Sequence, residues 1–141
     1  KYVDNTFCLT YGDGLSNINI RKLINQHKKY KKAATMSVVL PSGRFGAVEV
    51  DTNKKIKKYI EKPKGDKQWV NGGFFVLNKK IFNYLGDSKT VWEKEPLENL
   101  AKDDELMSFK HEGFWQPMDT LRDKLLLDKL WNENKAKWKI W

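Results

Sequence analysis

Apolar runs of strand length alternate with segments of helical period along this chain, and that alternation points to an α/β sheet flanked by helices. Thr6 to Tyr11 is apolar on both faces, as a strand interior to a sheet is. Gly12 to Asn17 reads as a turn. The next segment predicts a helix from about Ile18 to Lys32, with Ile20, Leu23, Ile24 and His27 on one face and lysines on the other. His27 is therefore expected to be a satisfied helix-face histidine rather than a ligand. Ala33 to Leu40 is a second strand, ended by Pro41-Ser42-Gly43. Phe45 to Val50 and Lys55 to Ile60 alternate across Asp51-Thr52-Asn53 in the manner of a hairpin. Trp69 to Leu77 is again apolar on both faces. Lys79 to Leu85 is a short helix and Thr90 to Ala101 another. In the latter, Thr90-Val91-Trp92-Glu93 has capping-box form and Pro96 sits early. Glu105 to Lys110 is a strand, and Asp119 opens a last helix to about Trp131.

Composition bounds the class. With 141 residues, 40% hydrophobic and 13% aromatic, the chain can bury a real core. No apolar run approaches the roughly 18 residues of a membrane span. Lys1 rather than Met comes first, which suggests an excerpt. Cys8 is the only cysteine, so no disulfide forms within the chain; among Phe7, Leu9 and Tyr11 it is expected to be buried. A reducing cytoplasm fits. The net charge of +9 invites a nucleic-acid reading, but arginine occurs only at 21, 44 and 122. Bidentate phosphate and guanine recognition favours Arg. The lysines are spread out, as on a solvated surface, so no nucleic-acid or membrane partner is expected. The tail from Asn134 carries Trp138 and Trp141, expected to pack on the body or on a partner subunit.

Two lone aspartates sit at element ends. Asp13, in Tyr11-Gly12-Asp13-Gly14, follows the carboxyl end of the first strand, where open α/β sheets bind ligands. Its glycines allow close approach of a phosphate, although Gly-Asp-Gly is equally a plain tight turn. Asp119 follows the stiff segment Trp115-Gln116-Pro117-Met118 and is expected to cap the last helix, a role compatible with a second one. Two such oxygen ligands suit a hard cation that also holds phosphates.

Glu61-Lys62-Pro63 ends a strand. Neighbours in a strand face opposite ways, so Glu61 and Lys62 share a pocket only if the chain bends at Pro63. A Glu accepts from sugar hydroxyls, and a Lys offers a point charge to a phosphate. The alternative is an exposed pair in a loop. Asn71-Gly72-Gly73 puts two glycines in an apolar strand, which marks a bulge or close backbone approach by a ligand. Gly46, after Arg44-Phe45, is a similar candidate.

Five motifs occur in order: Tyr11-Gly12-Asp13-Gly14, Gly43-Arg44-Phe45-Gly46, Glu61-Lys62-Pro63-Lys64-Gly65-Asp66, Asn71-Gly72-Gly73-Phe74-Phe75, and Gly113-Phe114-Trp115-Gln116-Pro117-Met118-Asp119-Thr120. Together they resemble the C-terminal half of the glucose-1-phosphate cytidylyltransferases, within the sugar-phosphate nucleotidyltransferases. The resemblance covers almost the whole of residues 1–141. It implies part of a Rossmann-like mixed sheet flanked by helices, with an inserted β-hairpin and a C-terminal helix. It implies transfer of a cytidylyl group from CTP to α-D-glucose 1-phosphate, giving CDP-glucose and pyrophosphate for surface polysaccharide such as O-antigen. Asp13 and Asp119 would hold Mg²⁺, Lys62 the sugar's phosphate and Glu61 its hydroxyls. Asn71, the backbone at Gly46 and Gly72, and Trp115 would shape the sugar pocket. The Gly-rich loop, Arg and Lys-Pro segment that open the family and cradle the triphosphate have no counterpart in these residues. The missing N-terminal half of the same domain is thus an expected partner, a homo-oligomer is expected, and the chain alone is expected to be inactive. The alternative is a truncated, non-catalytic domain that binds a sugar nucleotide or a subunit.

Overall fold

Phe75, Val76 and Leu77 are consecutive and only 1%, 0% and 1% exposed, which a strand achieves when both its faces are covered. They lie in the strand around which the chain is organised. The computed structural model describes residues 2–41, 47–50, 52, 54–60 and 68–140. Its elements run β1 (Thr6–Thr10), β2 (Gly14–Ser16), α1 (Ile20–Tyr30), β3 (Ala34–Val39), β4 (Ala47–Val50), β5 (Ile56–Ile60) and β6 (Val70–Asn78). A 3-10 helix (Lys79–Tyr84), α2 (Glu95–Lys102), β7 (Leu106–His111), β8 (Trp115–Pro117) and α3 (Leu121–Asn132) follow.

The main sheet has the order β1-β6-β3-β7. β6 is antiparallel to β1 and β3, while β3 and β7 are parallel, so the sheet is mixed. Alternation along β6 divides the core between two faces. Phe75 and Leu77 pack with Ala33, Ala34, Ile81 and Leu100 on one side. Val76 and Phe74 pack with Ile18, Leu23 and Phe109 on the other, under α1. α1 is held at its start by Asn19, whose Oδ1 accepts from the Lys22 N–H at 2.9 Å. It stops at Lys31, which turns left-handed at φ 54°. His27 is buried in this layer, its Nδ1 3.0 Å from the Thr35 hydroxyl. β4 and β5 pair antiparallel as the inserted hairpin. Among the described residues no helix is long and apolar enough to cross a membrane.

Several expectations are corrected. Among the described residues β1 pairs only with β6, so it lies at an edge of this sheet rather than inside it. Cys8 is exposed, on the opposite face of this edge strand from Phe7 and Leu9. The expected turn at Gly12–Asn17 contains a short strand, β2, paired with β8 across a separation of about a hundred residues. No local pattern marks so short a ribbon. The Thr90–Glu93 capping box does not form. α2 starts at Glu95 with Pro96 in its first turn, and the Thr90 hydroxyl accepts from the Gly86 N–H at 3.1 Å instead. Nor is Asp119 the cap of the last helix. Thr120 caps α3: its hydroxyl accepts from the Asp123 N–H, and the Asp123 carboxylate accepts from the Thr120 N–H. Trp138 does pack on the body, 5.4 Å between ring centroids from Phe114.

Candidate active site

The carboxyl ends of β1 and β3 lie beside the start of β6, because β6 runs against both. At that rim β6 is irregular. Met36 pairs with Phe75, but Val38 pairs with Asn71, so three residues of β6 oppose one of β3. Ser37 closes the gap, its hydroxyl accepting from the Phe74 N–H at 3.1 Å. The two glycines serve two different close approaches. A Cβ on Gly72 would stand 2.7 Å from the Ser37 hydroxyl, and Gly73 adopts φ +78°, where its missing Cβ leaves room for the Tyr11 ring. The glycine pair thus builds a bulge at the rim where β1 and β3 end.

Two further segments converge there. The Tyr11 N–H donates to the Gly73 carbonyl at 2.9 Å, which ties the end of β1 to the bulge. The β2–β8 ribbon then pairs Gly14 with Pro117, and the Met118 N–H donates to the Asp13 carbonyl at 2.8 Å. Asp13 and Asp119 thereby stand on the same rim, one rung apart, although 106 positions separate them in the chain. Both are exposed, and neither carboxylate forms a hydrogen bond or ion pair among the described residues. Thr120 takes the capping role, which leaves the Asp119 carboxylate out of the α3 cap.

Trp115 joins the ribbon to the bulge: its indole N–H donates to the Gly72 carbonyl at 2.9 Å. That donor is committed, so Trp115 can offer a ligand only the surface of its ring. Asn71 is held at both ends of its amide. Its Oδ1 accepts from the Gly73 N–H at 2.8 Å and its Nδ2 donates to the Tyr11 hydroxyl at 3.0 Å. Burial, and next the nearby Glu93 carboxylate, push the Tyr11 phenol well above its usual range, against a smaller lowering by Asn71. The structure thus brings Asp13, Asp119, Asn71, Gly72 and Trp115 to one rim. Gly46, Glu61 and Lys62 lie outside the described residues.

The motifs did not point to Tyr11, Ser37 or Glu93. Tyr11 looks like the last apolar residue of a strand, and Glu93 looks like part of a helix cap. Only the folded chain places one against the other. The described residues hold no group of three or more His, Cys, Asp or Glu side chains placed to share a metal ion. A pair of carboxylates nevertheless suits Mg²⁺, which retains several waters and takes one or two protein carboxylates together with substrate phosphates.

Comparison with known proteins bears on the family and the fold. Residues 2–123 match the sequence profile of the family described as nucleotidyl transferase. The chain is 49% identical to a glucose-1-phosphate cytidylyltransferase of Salmonella typhi over 98% of its own length, and 45% identical to a Bacillus subtilis relative over the same share. It spans about half the length of these curated relatives, 53% and 54%. Among solved structures, HddC from Yersinia pseudotuberculosis superposes with a TM-score of 0.63 over 92% of this chain and 57% of its own, at 20% identity, a likeness of fold alone. A profile match over most of the chain, on a mixed sheet whose rim carries the bulge and both aspartates, means that this chain belongs to the nucleotidyl transferase family.

Proposed function

We propose that this chain supplies the sugar-phosphate and metal side of a glucose-1-phosphate cytidylyltransferase. The reaction is CTP plus α-D-glucose 1-phosphate giving CDP-glucose and pyrophosphate. An oxygen of the sugar's phosphate forms the new bond to the α-phosphorus of CTP, and the bond from that phosphorus to the bridging oxygen of pyrophosphate breaks. The nucleophile is already anionic near neutral pH, so no Ser, Cys or His nucleophile is required. Catalysis is then positioning and charge neutralisation. The observation that supports this proposal is the pairing of β2 with β8, which sets Asp13 and Asp119, neither carboxylate partnered among the described residues, beside the Asn71–Gly73 bulge.

In this proposal Asp13 and Asp119 hold Mg²⁺, which supplies positive charge to the phosphates. Lys62 faces the phosphate of glucose 1-phosphate, Glu61 accepts from glucose hydroxyls, and Asn71 hydrogen-bonds the sugar. The backbone at Gly46 and Gly72 lets the sugar approach closely, and the Trp115 ring forms a wall. The loop that cradles the triphosphate comes from residues outside these 141, and CDP-glucose feeds surface polysaccharide such as O-antigen in the cytoplasm. A homo-oligomer belongs to the same proposal. The test incubates the full-length protein, and separately residues 1–141, with CTP, Mg²⁺ and glucose 1-phosphate, and measures pyrophosphate. Turnover by the full-length protein alone is the expected outcome. Sustained turnover by residues 1–141 would mean that the nucleotide site lies within them. Binding of CDP-glucose without turnover by the full-length protein would leave a non-catalytic domain.

A further inference from the structure

The motifs lead to Asn71 and the two aspartates; the hydrogen bonds lead one step further, to Tyr11. Its backbone N–H is fixed by the Gly73 carbonyl. Its ring occupies the space that the missing Cβ of Gly73 leaves, with the nearest ring atom 3.0 Å from that position, and it packs tilted on Phe75 at 5.6 Å between centroids. Its hydroxyl accepts from Asn71 Nδ2 at 3.0 Å, and the Glu93 carboxylate lies close enough to act on the phenol. The end of β1 and the bulge of β6 therefore meet at one phenol oxygen.

The consequence falls on Asn71. A primary amide has two N–H donors and two acceptor lone pairs, and it can flip to exchange them. Here Gly73 N–H takes one lone pair and the Tyr11 hydroxyl takes one N–H. Flipping the amide would break both bonds, so the remaining N–H and the remaining lone pair each have a fixed direction. A sugar hydroxyl both donates and accepts, and an amide of fixed orientation matches it without first having to be ordered.

We propose that Tyr11 is a positioning residue for sugar recognition, holding the Asn71 amide so that its free N–H and lone pair meet hydroxyl groups of the sugar phosphate. This rests on Asn71 being a sugar-binding residue, as proposed above. In the full-length enzyme, Tyr11→Phe keeps the ring and removes only the hydroxyl. It should raise the KM for glucose 1-phosphate about fivefold, with kcat and the KM for CTP changed less than about twofold. Asn71→Ala should raise the same KM at least as far. The double variant should be no worse than Asn71→Ala, because Tyr11 then has nothing left to orient. Glu93→Ala, at an exposed position, should raise that KM by a smaller factor and provides the test if Tyr11→Phe does not fold. Unchanged sugar KM in folded Tyr11→Phe, or in Glu93→Ala should Tyr11→Phe not fold, beside a raised one in Asn71→Ala overturns the positioning role and leaves the sugar assignment standing. Additive losses in the double variant also overturn it. An unchanged sugar KM in Asn71→Ala overturns the sugar assignment itself, and this inference with it.

Discussion

The two halves of β6 are built from different residues and do opposite things. From Phe75 to Leu77 the strand is regular, paired on both sides, and closed to water on both faces. From Asn71 to Phe74 the same strand bulges, and its polar groups bond to Tyr11, Trp115 and Ser37 rather than to a regular ladder. Regular pairing consumes every backbone group and turns each side chain into packing. A bulge with two glycines releases side chains and lets loops approach the backbone. A substitution in the first half of β6 should therefore alter ligand binding, and one in the second half should alter stability.

The largest effect should come from the closed half. Phe75→Ala removes a ring that touches Tyr11 and stands edge-on to Trp92, with centroids 5.7 Å apart. It should cost about 3–5 kcal/mol in urea unfolding. Because Phe75 also supports the Tyr11 ring, a rise in the sugar KM out of proportion to the stability loss would mean that the two halves are coupled. Next comes the rim. Asp119→Asn in the full-length enzyme should lower turnover roughly a hundredfold or more, a loss of transition-state charge stabilisation. Its melting temperature should move by less than about 2 °C. Thr120→Ala, one residue along, should do the reverse and cost about 1 kcal/mol of stability by deleting the α3 cap. If Asp119→Asn melts early and its turnover falls only with its folded fraction, the acid is structural and the separation of roles at the rim fails.

The smallest effect concerns pH and lies away from the rim. Burial lowers the His27 pKa below its usual value of 6.5, so the folded state favours the neutral ring facing Thr35. An unfolded chain binds that proton from about pH 6.5 downward. The corresponding stability is present above that pH and lost as pH falls towards the lowered folded value. Replacing His27 with Gln should flatten the fall in stability between about pH 7 and 5. An equal slope in both proteins would place the acid sensitivity elsewhere.

The helix face of α1, the apolar strands β3 and β6, and the order of motifs were legible in the sequence, since each depends on period or composition within one segment. The glycine pair announced a bulge or a close approach, and both occur. Edge or interior position was not legible for β1, because Phe7 and Leu9 look the same whether or not a further strand lies beside them. The α2 capping box failed for a similar reason. Thr90 and Glu93 have the right spacing, but the helix begins later, and Glu93 reaches a tyrosine on a distant segment.

The sequence by itself determined the class of sheet, the amphipathic α1 and the break in β6 at its glycine pair. These follow from local period, turn chemistry and side-chain type. Only the tertiary structure decided that Asp13 and Asp119 share a rim, that Thr120 rather than Asp119 caps α3, and that Tyr11 holds Asn71. Each of those facts depends on a few hydrogen bonds between segments far apart in the chain. A three-residue strand or a single phenol has no period to reveal it, and its partner is chosen by the fold.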